Sequence, residues 1–154
     1  MGVHDALYPM MYYKDRHFYP YLDDWMKNTS GRFIIPGLGV YQMMPETQNW
    51  DLKEITKQID YIREKGVKGQ AYFRAGNILK NLKGIASQLN AYYIYPAKLP
   101  AMNWLDSIAP NSPVDLHVYK NEKGMLSIRW RPDVNNEEQI YTIYQSKEEG
   151  VDIN

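Results

Sequence analysis

DLKEITKQIDYIREKGVKGQAYFRAGN, residues 51–77, carries the passage from helix to strand on which the fold class turns. Leu52, Ile55, Ile59 and Ile62 recur at steps of three and four, so a helix over 51–65 places them on one face. Asp51 followed by Glu54 resembles a capping box at its start, and Gly66 supplies the stop. GQAYFR, residues 69–74, reads as a strand, with Ala75–Asn77 as the loop after it. A further helix is expected within 78–92, where Ile78, Leu79, Leu82, Ile85, Ala86 and Leu89 make an apolar stripe.

Towards the amino terminus the same alternation repeats. DALYPMMYY, residues 5–13, reads as a short buried strand leading into the polar loop Lys14–His17. FYPYLDDWMKN, residues 18–28, reads as a turn into a short helix, which Asn28–Gly31 break with turn chemistry. FIIPGLGVYQM, residues 33–43, is a second apolar run. Its two glycines suit a strand end that backbone or ligand approaches closely. The order strand, helix, strand, helix, strand, helix predicts a parallel sheet with helical crossovers. The loops that follow the three strands are polar or aromatic, and in α/β folds ligands sit beyond the carboxyl ends of strands.

The composition changes after residue 95. YPAKLPAMNWLDSIAPNSP carries four prolines and no helical period, which reads as a linker. Within 114–146, VDLHVYK, MLSIRW and QIYTIYQS alternate or carry β-branched and aromatic residues between turn signals. That is antiparallel patterning at the spacing of a sandwich.

Lys plus Arg and Asp plus Glu both number 18, so the charge balance makes no case for nucleic acid or an anionic membrane as partner. No apolar run approaches the roughly 18 residues of a membrane span. The start lacks the regions of a signal peptide. With no cysteine, disulfides, thiolate ligands and thiol nucleophiles are excluded, and the redox compartment is left open. The outlier is 14 Tyr against 3 Phe. Rings with a polar handle favour half-wet places, either packing between elements or the lip of a sugar site.

DALYPMMYYKD, FIIPGLGVYQM, REKGVKGQAYFRAGNIL and YYIYPAKLPAMNWLD, in that order, resemble the C-terminal part of bacterial glycosyl-hydrolase-like 10 family proteins. The resemblance covers about residues 5–108. It implies a partial (β/α)8 barrel, its last three β/α units, over residues 1–108. It also implies a glycosidase acting on complex polysaccharide, in a bacterial secreted, periplasmic or cell-surface protein; the residues themselves leave localisation open. Residues 109–154 resemble the opening strands of a fibronectin type III-like module, an incomplete antiparallel β-sandwich. The family carries an HFDDY-like segment at the end of its fourth strand, where its catalytic aspartate is expected. No such segment occurs here, and HFYPY at 17–21 lies in a different loop. The resemblance therefore implies a fragment that supplies substrate-binding walls and is inactive alone, or else a non-catalytic carbohydrate-binding or assembly module. Open strand edges imply self-association, or pairing with the missing half of the barrel.

Several residues are candidates for contact with a polysaccharide or oligosaccharide. Asp15, after the first strand, is the best-placed carboxyl: it either supports a catalytic acid or pairs locally with Arg16. Tyr12, Tyr13 and Tyr41 sit at strand ends, where rings stack on sugar faces. Tyr12 and Tyr13, adjacent on a period-two strand, point to opposite sides. Lys14, Arg16, His17 and Arg74 are polar groups in the same loops. Asp23 and Asp24 read as structural carboxylates near a helix start. No metal is expected, because no His or carboxylate falls at ligand spacing, and no cofactor is implied. Asn28-Thr29-Ser30 matches a glycosylation sequon but reads as a turn.

Overall fold

The computed structural model describes residues 3–95, 97–132 and 141–144. The chain divides into two compact units, Met1–Pro100 and Ala101–Asn154.

In the first unit, β1 (Ala6–Leu7) pairs in parallel with β2 (Phe33–Ile34), Ala6 opposite Phe33 and Leu7 opposite Ile34. β3 (Gly37–Leu38) pairs in parallel with β4 (Ala71–Tyr72). A single bridge, Met10 to Gly37, links the two apolar runs further along, with Gly37 N–H donating to Pro9 C=O at 2.8 Å and Met11 N–H to Gly37 C=O at 3.0 Å. The strands are two residues long because Pro9 and Pro36 have no N–H to give to a ladder.

Helix α1 (Phe18–Lys27) carries Pro20 in its first turn, where the missing N–H has no intrahelical partner to lose. It buries Phe18 and Leu22. Helix α2 (Leu52–Glu64) buries Ile55, Ile59 and Ile62, three of the four apolar residues assigned to its inner face; Leu52 is half-buried. The Asp51 side chain accepts from Lys53 N–H at 2.8 Å, but Glu54 does not complete a capping box: its carboxylate accepts instead from Gln58 Nε2. At the other end Gly66 has φ +69°, Gly66 N–H donates to Arg63 C=O, and Val67 N–H donates to Ile62 C=O. These paired bonds satisfy carbonyls that the last turn leaves over.

The helix expected over 78–92 is broken. It forms as α3 (Ala75–Leu79), a 3-10 turn at Leu82–Gly84, and α4 (Ile85–Tyr92). The cause is local: Asn81, Lys83 and Gly84 all have positive φ. The break is held by Asn81 Oδ1, which accepts from Ala86 N–H at 2.9 Å and Ser87 N–H at 3.3 Å, and by Lys83 Nζ, which donates to Asn49 Oδ1 and Trp50 C=O at 2.7 Å each. Leu79, placed by periodicity on the apolar stripe, is 87% exposed as a result. The core lies between α1, α2 and the strands. Met11, Ile34, Leu38, Val40, Met43, Trp50 and Ile85 complete it.

In the second unit, residues 101–113 form no helix or strand. β5 (Val114–Lys120) and β6 (Leu126–Arg131) make an antiparallel hairpin. Its turn is fastened by Asn121 Oδ1, which accepts from Lys123 and Met125 N–H, with Gly124 at φ +74°. Of the third strand expected at 140–146, only 141–144 are described, and no strand forms there. The rest lies outside the described residues.

The expected architecture, three β/α units of a (β/α)8 barrel followed by part of a β-sandwich, is therefore overturned. Among the described residues the chain is a small mixed α/β fold whose strands sit in three two-stranded sheets. Proline interruption keeps the parallel ladders to two residues each. The hairpin forms one layer, where a sandwich needs two packed sheets.

Candidate functional site

Three rings from three chain segments meet beyond the strands. Tyr12 stacks on Phe73, with centroids 5.5 Å apart and planes at 17°. Tyr41 stands edge-on to both, 5.6 Å from each. The backbone sets this arrangement. Phe73 N–H donates to Leu38 C=O at 2.9 Å and Tyr41 N–H donates to Phe73 C=O at 3.0 Å, so the second and third segments stay in register up to the rings. The close approach expected at the two glycines is made by Tyr12. A Cβ on Gly39 would lie 3.1 Å from Tyr12 Cβ, and one on Gly37 would lie 3.3 Å from Tyr12 Cε1. Gln42 Nε2 donates to Tyr41 Oη at 3.0 Å. Burial, with Tyr41 beside it, pushes the Tyr12 phenol above its ordinary value. Phe73 stays 48% exposed, so the group is half-wet.

Tyr13 belongs to a second group. Its ring lies 5.8 Å from Tyr21, edge to face, and 6.5 Å from His17, which is 5.8 Å from Tyr21. Tyr13 C=O accepts from Nε2 of the fully buried Gln58 at 2.9 Å.

The candidate residues are thus sorted. Tyr12 and Tyr41 come together, and so do Tyr13 and His17, but the two pairs sit in separate groups. Lys14, Asp15 and Arg16 are exposed on the turn into α1. Asp15 has φ +50°, its C=O accepts from Phe18 N–H at 3.1 Å, and no salt bridge joins its carboxylate to Arg16. Burial first, then the charges of Glu54 and Asp15, push the Tyr19 phenol up. Arg74 is exposed at the start of α3, immediately after Phe73. Asp23 and Asp24 lie past the middle of α1, not at its start. Asp23 accepts from Tyr61 Oη at 2.9 and 3.0 Å and pairs with Lys65 at 3.2 Å, joining α1 to α2. At Asn28–Gly31 the Thr29 hydroxyl oxygen accepts from Gly31 N–H at 3.1 Å and Thr29 C=O from Arg32 N–H at 3.0 Å.

Sequence reasoning missed Phe73, Tyr21 and Gln58. Phe73 stood inside the GQAYFR strand, and Tyr21 follows His17 by four, a helical spacing that puts the two on one face. Gln58 gave no signal beyond a polar residue three after Ile55. A further tyrosine surface, at the far ends of α2 and α4, is structural: Tyr92 Oη donates to Asp60 Oδ1 at 2.6 Å, Gln70 Nε2 donates to the hydroxyls of Tyr72 and Tyr93, and the Arg63 guanidinium lies over the Tyr92 and Tyr93 rings.

Among the described residues no three His, Asp or Glu side chains come together as a metal site. No helix there is long and apolar enough to cross a membrane. Two shallow hollows, one by Val3, His4 and Leu7 and one at the hairpin turn, include none of the site rings. The ring groups are open surface. Such rings can stack on the C–H face of a ring-shaped polar ligand and hydrogen-bond at its rim.

The chain is similar to a protein described as glycosyl hydrolase YngK of Bacillus subtilis (strain 168), 33% identical over 102 residues. The match takes in 63% of this chain and 20% of that protein, so the chain spans about a fifth of the length of the relative. No protein-family model matches the chain, neither the narrower glycosidase family nor a fibronectin-type module, and no solved structure matches it. The similarity is to a glycosyl hydrolase in the broad sense.

Proposed function

We propose that this chain is a portion of a glycoside hydrolase acting on complex polysaccharide, supplying a ring-lined surface that holds the sugar and doing no hydrolysis by itself. The supporting observation is the Tyr12–Tyr41–Phe73 group in a chain similar to a glycosyl hydrolase. Glycoside cleavage needs two carboxyls across the scissile bond. Among the described residues no carboxylate hydrogen-bonds to the Tyr12 or Tyr41 hydroxyl, and Asp15 stands on a separate turn. In this reading Tyr12 and Tyr41 stack on sugar, Tyr13 and His17 form an adjoining wall, and Lys14, Arg16 and Arg74 meet hydroxyls at its edge. Asp15 supports an acid supplied elsewhere in the enzyme.

The test is calorimetric titration of the chain with a panel of oligosaccharides, beside a hydrolysis assay on polysaccharides. Binding that falls about tenfold or more in Tyr12→Ala and Tyr41→Ala, with no turnover, is expected. Binding unchanged in both variants, or turnover by the chain alone, overturns the reading. A second reading, a non-catalytic assembly module, is favoured by the hairpin, whose Leu116, Val118 and Leu126 are each more than half exposed. The oligosaccharide titration separates the two, since an assembly module binds no sugar.

A further inference from the structure

Gln58 is the one fully buried polar side chain among the described residues. It lies on the inner face of α2 between Ile55 and Ile59, where an apolar residue continues the stripe. Both of its N–H groups are committed: Nε2 donates to Tyr13 C=O at 2.9 Å and to Glu54 Oε1 at 2.8 Å. Two acceptor oxygens fix the orientation of the amide, because a flip would set Oε1 against both. Oε1 itself is buried with no donor among the described residues. An unmatched buried acceptor costs roughly 1–3 kcal/mol, which offsets what the two Nε2 bonds contribute to stability.

What it does hold is one carbonyl 45 residues away in sequence, three residues past the Met10–Gly37 bridge. Tyr13 begins the exposed turn of Lys14, Asp15, Arg16 and His17, and its ring packs on His17 and Tyr21. The turn makes few bonds of its own: His17 N–H to Lys14 C=O at 3.3 Å and Phe18 N–H to Asp15 C=O at 3.1 Å. We infer that Gln58 is the positioning residue of this loop, fixing the Tyr13–His17 wall by a hydrogen bond delivered from inside the core. The loop's contact with carbohydrate rests on the proposed function; the positioning does not.

The experiment is limited proteolysis of the full chain by trypsin, resolved by mass spectrometry. Cleavage after Lys14 and Arg16 is compared with cleavage after Lys120 and Lys123 in the same sample. Gln58→Met and Gln58→Leu put an apolar side chain of similar size in the stripe and remove the donor. Both are expected to raise relative cleavage in the loop about five- to tenfold, the effect of one net hydrogen bond on local opening. The thermal midpoint is expected to stay level or rise, since the unmatched oxygen goes too. A loop cut no faster in either variant overturns the inference. So does loss of cooperative melting in both, which would make Gln58 a structural residue of the core. Oligosaccharide titration of the same variants keeps the two ideas apart. A chain that binds no sugar yet shows the faster loop cleavage refutes the proposed function and leaves the positioning role standing.

Discussion

Tyr12 lies face to face with Phe73, centroids 5.5 Å apart, although 61 residues separate them in the chain. Pairs of this kind contribute about 0.5–1.5 kcal/mol beyond the area they bury. A double-mutant cycle of Tyr12→Ala and Phe73→Ala, followed by urea denaturation, should return a coupling of about that size. Tyr12→Phe should keep most of it, because stacking does not use the hydroxyl. Additive single effects would show that the two rings are only neighbours.

Gly39→Ala and Gly76→Ala should move stability in opposite directions. At Gly39 the new methyl meets Tyr12 Cβ at 3.1 Å and Gln42 Cγ at 3.3 Å, so Tyr12 has to shift, at a cost of about 1–3 kcal/mol. At Gly76, inside α3, nothing lies within 4 Å, and alanine should add up to about 1 kcal/mol through helix propensity. Chemical denaturation of the two variants reads the contrast directly.

Acid should weaken the joint between α1 and α2. The Tyr61 hydroxyl, and after it Lys65, hold the Asp23 carboxyl below the usual carboxylate range. A folded-state pKa below the unfolded one contributes stability above the unfolded value, and that contribution is lost as pH falls through the folded one. Melting midpoints measured from about pH 5 downwards should therefore fall less steeply in Asp23→Asn than in the native chain.

The alkaline side has the opposite sign. Burial, and then the bond to Asp60, push the Tyr92 phenol up to about 12. Its contribution is complete below the ordinary tyrosine value and is lost as pH rises through the folded one. Tyr92→Phe should flatten the loss of stability between about pH 10 and 12. Burial and Tyr93 push Tyr72 up as well, so tyrosinate absorbance in the folded chain should show a late-titrating fraction.

Asn81 has φ +49° and caps α4 with its side chain. Asn81→Gly loses the cap but suits the left-handed backbone, whereas Asn81→Ala loses both. The alanine variant should be less stable than the glycine one by about 1 kcal/mol, as thermal melts of the pair would show.

What the sequence disclosed depended on whether a feature was periodic. The inner face of α2 is readable because Ile55, Ile59 and Ile62 repeat with the helix. The stop at Gly66 is readable because a left-handed residue is wanted there. The break at Asn81–Gly84 was hidden, since Ile78, Leu82, Ile85 and Leu89 keep a helical rhythm across it while two non-glycine residues take positive φ. Strand length was overread because apolar runs do not reveal where a proline empties the ladder. At the site, Tyr12 and Tyr41 were visible as rings at strand ends. Their true neighbour, Phe73, depends on a register between segments that no local pattern encodes.

The main-chain bonds that hold Phe73 to Leu38 and Tyr41 to Phe73 take no account of what the side chains are. Positions 41 and 73 therefore keep their spacing with any residue except proline, which has no N–H to donate. Together with position 12 they form a fixed frame on which side chains can be exchanged one at a time. Diversifying these three positions would vary the chemistry of this surface without redesigning the scaffold, a route as open to natural variation as to a synthetic library.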